Sequence, residues 1–110
     1  MSIKATEVGK IFRYSTLFDM SSETELTLKF TDPTGIETTL TATGGRVTAP
    51  ASPVTDPDLG SLLASEYMEI TTIATDFPVG GSWSVCGIYT DATPKVFHGN
   101  TATFTIGDAC

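Results

Sequence analysis

Glu25-Leu26-Thr27-Leu28-Lys29-Phe30 carries an apolar side chain at every second position and a polar one between. Successive side chains of an extended chain point to opposite faces. This period of two therefore predicts a strand with one buried and one wet face. The pattern returns downstream, where Trp83, Val85 and Gly87 alternate with Ser82, Ser84 and Cys86 and the strand runs on to Tyr89. It returns again where Ala102, Phe104 and Ile106 alternate with Thr101, Thr103 and Thr105. Threonine suits the wet face, because its β-branch packs well on a pleated surface.

Outward from these three segments, residues 11–16, 36–43, 67–73 and 95–98 read as further strands. Turn chemistry separates them. Asp32-Pro33-Thr34-Gly35 sets a proline, with φ already fixed, at the second turn position and a glycine tolerant of positive φ at the fourth. It predicts a hairpin between the Leu26 strand and the Ile36 strand. Gly80-Gly81 permits a reversal before Trp83, and Asp91-Ala92-Thr93-Pro94 closes the next hairpin.

One stretch breaks the rhythm. Residues 49–57 hold Pro50, Pro53 and Pro57 and read as an irregular crossing loop. Leu59, Leu62 and Leu63 then suggest a turn or two of helix over residues 58–67, with Asp58 as its N-cap. About seven short strands with turns every ten residues or so predict an all-β, immunoglobulin-like antiparallel sandwich. A small closed barrel is the structural alternative. With 110 residues, 40% of them apolar, the chain makes a single domain, residues 1–110, with a proline-rich loop at 48–63. Trp83 is expected between the sheets, near Leu28, Phe30 and Phe104, which share its phase.

Charge narrows the partners. Six basic and thirteen acidic residues leave a net charge of −7. With no Lys/Arg cluster, neither a phosphate backbone nor an anionic membrane surface is expected as a partner. The amino end has no apolar core of a secretory signal, which predicts a protein made and used from the cytoplasm. Cys86 sits in an apolar stretch and Cys110 is the last residue given, so no bridge between them is expected.

Catalytic and metal-binding patterns are sparse. His98 is the one histidine, and a surface or edge role suits it. No G-x-S-x-G elbow, P-loop or G-x-G-x-x-G is present. Asp56-Pro57-Asp58 brings two carboxylates close. Calcium wants six to eight oxygens from spaced acids, however, and glycoside hydrolysis wants two acids facing across a cleft. The expectation is therefore no enzyme, no cofactor and no metal. Tyr14, Tyr67, Trp83 and Tyr89 could form a sugar-stacking platform, although each falls within a strand pattern. If the tyrosines line one open face, glycan binding gains; if they are buried, it loses.

Several segments taken together are familiar: Val8-Gly9-Lys10-Ile11-Phe12, Asp19-Met20-Ser21-Ser22-Glu23-Thr24-Glu25-Leu26, Phe30-Thr31-Asp32-Pro33-Thr34-Gly35, Gly80-Gly81-Ser82-Trp83-Ser84-Val85, and Lys95-Val96-Phe97-His98-Gly99 leading to Thr103-Phe104-Thr105-Ile106. The chain resembles the immunoglobulin-like modules of tailed-phage virion proteins, such as the amino-terminal domain of baseplate upper proteins. Most of the chain shares in the resemblance; the proline-rich loop does not. It implies a structural accessory protein in the neck, tail or baseplate, or decorating the capsid. Its expected partners are other virion proteins, with several copies in a symmetric particle assembled in the host cytoplasm. A carbohydrate-binding module that holds host glycans is the second reading. The expected partner contacts lie in the loop, at Val54, Asp56, Asp58, Leu59, Leu62 and Leu63, because long irregular stretches in compact domains tend to be functional; the alternative is that the leucines fold back to cover the open end of the sandwich.

Overall fold

A computed structural model describes residues 3–108. The chain is all-β, and no helix occurs among the described residues. Nine strands follow in order: β1 (Ile11–Ser15), β2 (Glu23–Thr31), β3 (Glu37–Thr41), β4 (Val54–Asp56), β5 (Gly60–Leu62), β6 (Tyr67–Thr71), β7 (Gly81–Asp91), β8 (Val96–His98) and β9 (Ala102–Ile106). Every ladder between them is antiparallel.

One sheet is β1 against β6, and Thr48 bridges to Glu69 on the far side of β6. The other runs β3-β2-β7, with β8 and β9 both pairing along the remaining edge of β7. The chain passes between sheets after β1, returns before β6 and leaves again after it. This is the strand arrangement of an immunoglobulin-like sandwich. Lys4 bridges Gly107 in parallel and closes the far end of β9.

The alternation quoted from the sequence is what the sheets bury. Leu26, Leu28 and Phe30 face inward from β2, and Trp83, Val85 and Tyr89 from β7. They meet Phe12, Tyr14, Met68 and Ile70 from the opposite sheet. Rings interlock at the centre: Phe12 lies edge-on to Phe30 at 5.3 Å, and Phe77 edge-on to Trp83 at 5.1 Å. Trp83 is buried, and its Nε1 donates to the Val79 carbonyl at 3.0 Å, so the polar corner of the indole is satisfied. Phe104 stands opposite Trp83 across the β7–β9 ladder.

Two hairpin turns share one hydrogen-bond design. Asp32 Oδ1 accepts from Thr34 N, Thr34 Oγ1 and Ile36 N, and Asp91 Oδ1 accepts from Thr93 N, Thr93 Oγ1 and Lys95 N. Gly35 takes a φ of +95°, as its place in the turn demands.

Three expectations need correction, all in the proline-rich segment. Residues 54–56 are a strand, paired with residues 60–62, which accounts for nine strands where seven were expected. The helix over 58–67 does not form. Gly60 sits at φ +77° where the turn enters β5, and the leucines split between buried and exposed, with Leu62 buried and Leu59 and Leu63 exposed. Asp58 caps no helix; Asp56 organises the turn instead, its Oδ1 accepting from the backbone of Asp58 at 2.9 Å and Leu59 at 3.0 Å. The expectation for Cys110 lies outside the described residues.

Candidate docking cleft

Two strand edges face one another across an open side of the sandwich. β1 is the outer strand of its sheet, and β9 lies at the edge of the other. Between them runs a cleft of about 400 Å³. Its apolar surface comes from Phe12, Tyr14, Val85, Ala102 and Phe104, and the tip of the β4–β5 hairpin closes one side with Asp56, Asp58 and Leu59.

The hairpin is fastened there by charge. Arg13 donates to Asp56 Oδ2 from Nη1 at 3.1 Å and to Glu69 Oε2 from Nε at 2.9 Å. All three side chains are largely shielded from water. Burial works against the charge on Arg13, but the bonds to Asp56 and Glu69 outweigh it and hold the guanidinium pKa above its ordinary value. With Oδ1 occupied by the turn and Oδ2 by Arg13, Asp56 is a structural carboxylate. Among the described residues, no group of three or more His, Cys, Asp or Glu side chains is gathered to hold a metal ion. His98 is exposed on β8, opposite Ile88.

Tyr14 spans the other end. Its hydroxyl donates to the Asn100 carbonyl at 2.6 Å, and burial pushes its phenol pKa up. The ring lies against Gly87 and Gly99, where a β-carbon would come within 2.8 Å of Tyr14 Cδ1 and 3.0 Å of Cζ respectively. Glycine is required there because the ring takes the space of the side chain. Between the Gly99–Gly87 hydrogen bond and the Ala102–Val85 pair, the β8–β9 connection holds one residue more than β7 does. That bulge re-aims the chain, as bulges do at sheet edges.

The hydrogen-bond parity of both edges follows from the ladders. Asp91 N donates to Lys95 O and Gly99 N to Gly87 O, each at 2.9 Å, so the odd-numbered residues of β7 bond toward β8 and β9. Bonded and non-bonded pairs alternate in an antiparallel ladder. Carried through the register, this turns Ala102, Phe104 and Ile106 toward β7 and the backbone of Thr101, Thr103 and Thr105 away from it. On β1, Thr72 N to Lys10 O (2.7 Å) and Thr16 N to Glu66 O (3.1 Å) assign the even residues to β6. The backbone of Ile11, Arg13 and Ser15 therefore faces outward. Among the described residues, no other backbone segment bonds to these outward groups.

Of the six contacts expected from the sequence, Asp56, Asp58 and Leu59 line the cleft. Leu63 is 62% exposed, and Val54 is half-buried on β4. Leu62 is 5% exposed and packs inward, so it is unavailable to a partner; the hairpin register turns it to the side opposite Leu63. Sequence reading missed Arg13, Tyr14 and the β9 threonines as parts of one site. Tyr14, Tyr67 and Tyr89 are all buried and make no open stacking face.

No family model, no curated protein and no solved structure matches this chain.

Proposed function

We propose that this chain is a non-catalytic structural accessory module of a tailed-phage particle, binding other virion proteins through the face that carries the cleft and the β4–β5 hairpin. The observation that carries the docking part is the pairing of two open strand edges beside a hairpin with exposed leucines, Leu59 at 47% and Leu63 at 62%. Unpaired edges are templates for another chain, and exposed leucines on the adjoining hairpin favour a macromolecular partner over a small solute. The resemblance in the turn and strand segments supports the assignment to a virion, in the neck, tail or baseplate or on the capsid. The buried tyrosines count against the glycan-binding alternative.

The test uses particles purified from the producing host. Immunogold labelling and quantitative mass spectrometry are expected to find the chain at fixed stoichiometry. The double variant Leu59→Asp, Leu63→Asp is expected to keep its fold, since both side chains are exposed, and to lose occupancy on the particle. Absence of the unaltered chain from purified particles would overturn the virion assignment. Full occupancy of the double variant would move the docking face elsewhere.

A further inference from the structure

We propose that the cleft between β1 and β9 is a strand-addition site, filled by one extended segment of a partner protein that hydrogen-bonds along the outer edge of β9. The inference rests on the protein-docking reading above and specifies how the partner is held.

The edge already shows what it accepts. Gly107 belongs to the outward-facing set of Thr101, Thr103 and Thr105, and its outward groups are taken by an extended segment of the chain itself. Gly107 N donates to Ile3 O at 2.9 Å, and Ala5 N donates to Gly107 O at 2.8 Å. That segment then leaves the edge, with Thr6 N turning to Phe77 O. Upstream on the same edge the outward backbone groups of Thr101, Thr103 and Thr105 are in the same phase, and among the described residues no backbone segment bonds to them. Across the cleft, Ile11, Arg13 and Ser15 present theirs.

The chemistry of the occupant follows from the walls. Phe12, Val85 and Phe104 lie beneath the line a new strand would take, so every second side chain entering the cleft is apolar. The chain as a whole carries a net charge of −7. A segment of basic character therefore complements it better than an acidic one. A second copy is the weaker fit, because two chains of charge −7 repel and the β1 wall and hairpin stand beside the edge. A single strand enters where a whole sheet does not.

The experiment fuses the strand to the full chain. A flexible Gly/Ser linker of about a dozen residues after Cys110 carries Lys-Val-Thr-Val-Thr-Val-Lys, which presents the strand at roughly millimolar effective concentration. The control carries a Gly/Ser segment of equal length. Backbone amide exchange is read by NMR. The amides of Thr103 and Thr105 are expected to exchange at least about tenfold more slowly in the strand fusion than in the control. Thr103→Pro removes one outward N–H and leaves the β7 ladder intact, as proline at the solvent side of an edge strand does; it is expected to abolish the protection at Thr105. Unchanged exchange at these amides in the folded fusion would overturn strand addition. So would protection in the fusion that survives Thr103→Pro. Should that variant unfold, the comparison of fusion with control decides alone. A dimer of the unfused chain with the same two amides protected assigns the edge to a second copy and also overturns the proposal.

The two readings fail separately. If the strand is held but the chain is missing from particles, the virion assignment falls and the edge site stands. If the strand is not held but the Leu59, Leu63 double variant loses its place on the particle, docking stands and strand addition falls.

Discussion

Trp83 concentrates several demands on one residue. The residue is 2% exposed, its ring meets Phe77 in a T-shaped contact, and its Nε1 holds the Val79 carbonyl of the segment leading into β7. Trp83→Ala removes the ring and the donor together and is expected to cost about 3–5 kcal/mol. Trp83→Phe keeps most of the apolar volume but strands the carbonyl, which costs roughly 1–3 kcal/mol. Urea unfolding followed by far-ultraviolet circular dichroism measures both. An unchanged midpoint in Trp83→Ala would refute the core assignment, and an unchanged midpoint in Trp83→Phe would refute the role of the Val79 bond.

At the scale of the element, the turns matter more than their short lengths suggest. The Asp32 and Asp91 carboxylates each accept three hydrogen bonds, from a threonine hydroxyl and two backbone amides. Those bonds, the hydroxyl's first, hold both pKa values below their ordinary 3.8. A lowered carboxylate pKa means the folded state favours the ionised form. The stabilisation is complete above the unfolded value and fades as the pH falls through the folded one. Replacing both aspartates by alanine is therefore expected to lower the urea midpoint at pH 7, and the gap to the unaltered protein is expected to narrow by pH 3. A gap independent of pH would show that the turns depend on backbone geometry and not on the charge. The β4–β5 hairpin makes a related point. Its two strands span three residues each, too few to persist alone. It is held instead by the Arg13 contacts and by Leu62 beneath it.

The whole molecule is built from distant pairings. β1 waits for β6, and β2 for β7, with about half of the chain between them in each case. Closing such loops before any contact forms is slow, as in other sandwiches, so refolding at 25 °C is expected on the millisecond-to-second scale. Trp83 is the one tryptophan and reports it by stopped-flow fluorescence. Complete refolding within about 100 μs would contradict this topology. The described chain has a radius of gyration of 13.5 Å, close to the ~13 Å of a compact domain of about 100 residues. A cleft of about 400 Å³ lies between β1 and β9.

The strands that carry the core were legible because their information is local. Leu26, Leu28 and Phe30 alternate within six residues, and a pleat obeys that period without help from the rest of the chain. The same holds for Asp32-Pro33-Thr34-Gly35, whose turn is written in fixed φ values and one carboxylate. Residues 54–62 were misread because three-residue strands carry almost no periodic signal and the leucine spacing imitates a helix. The cleft was legible only in part. Asp56, Asp58 and Leu59 stood out as an irregular polar and apolar mixture, whereas Arg13, Tyr14 and Thr103 looked like ordinary strand residues. What gathers them is the pairing of segments more than forty positions apart, and the open edges exist only because of which strands find no neighbour. Local alternation decides which face of a strand is buried; only the packed sheets decide which edge is left open, because that depends on every other strand in the fold.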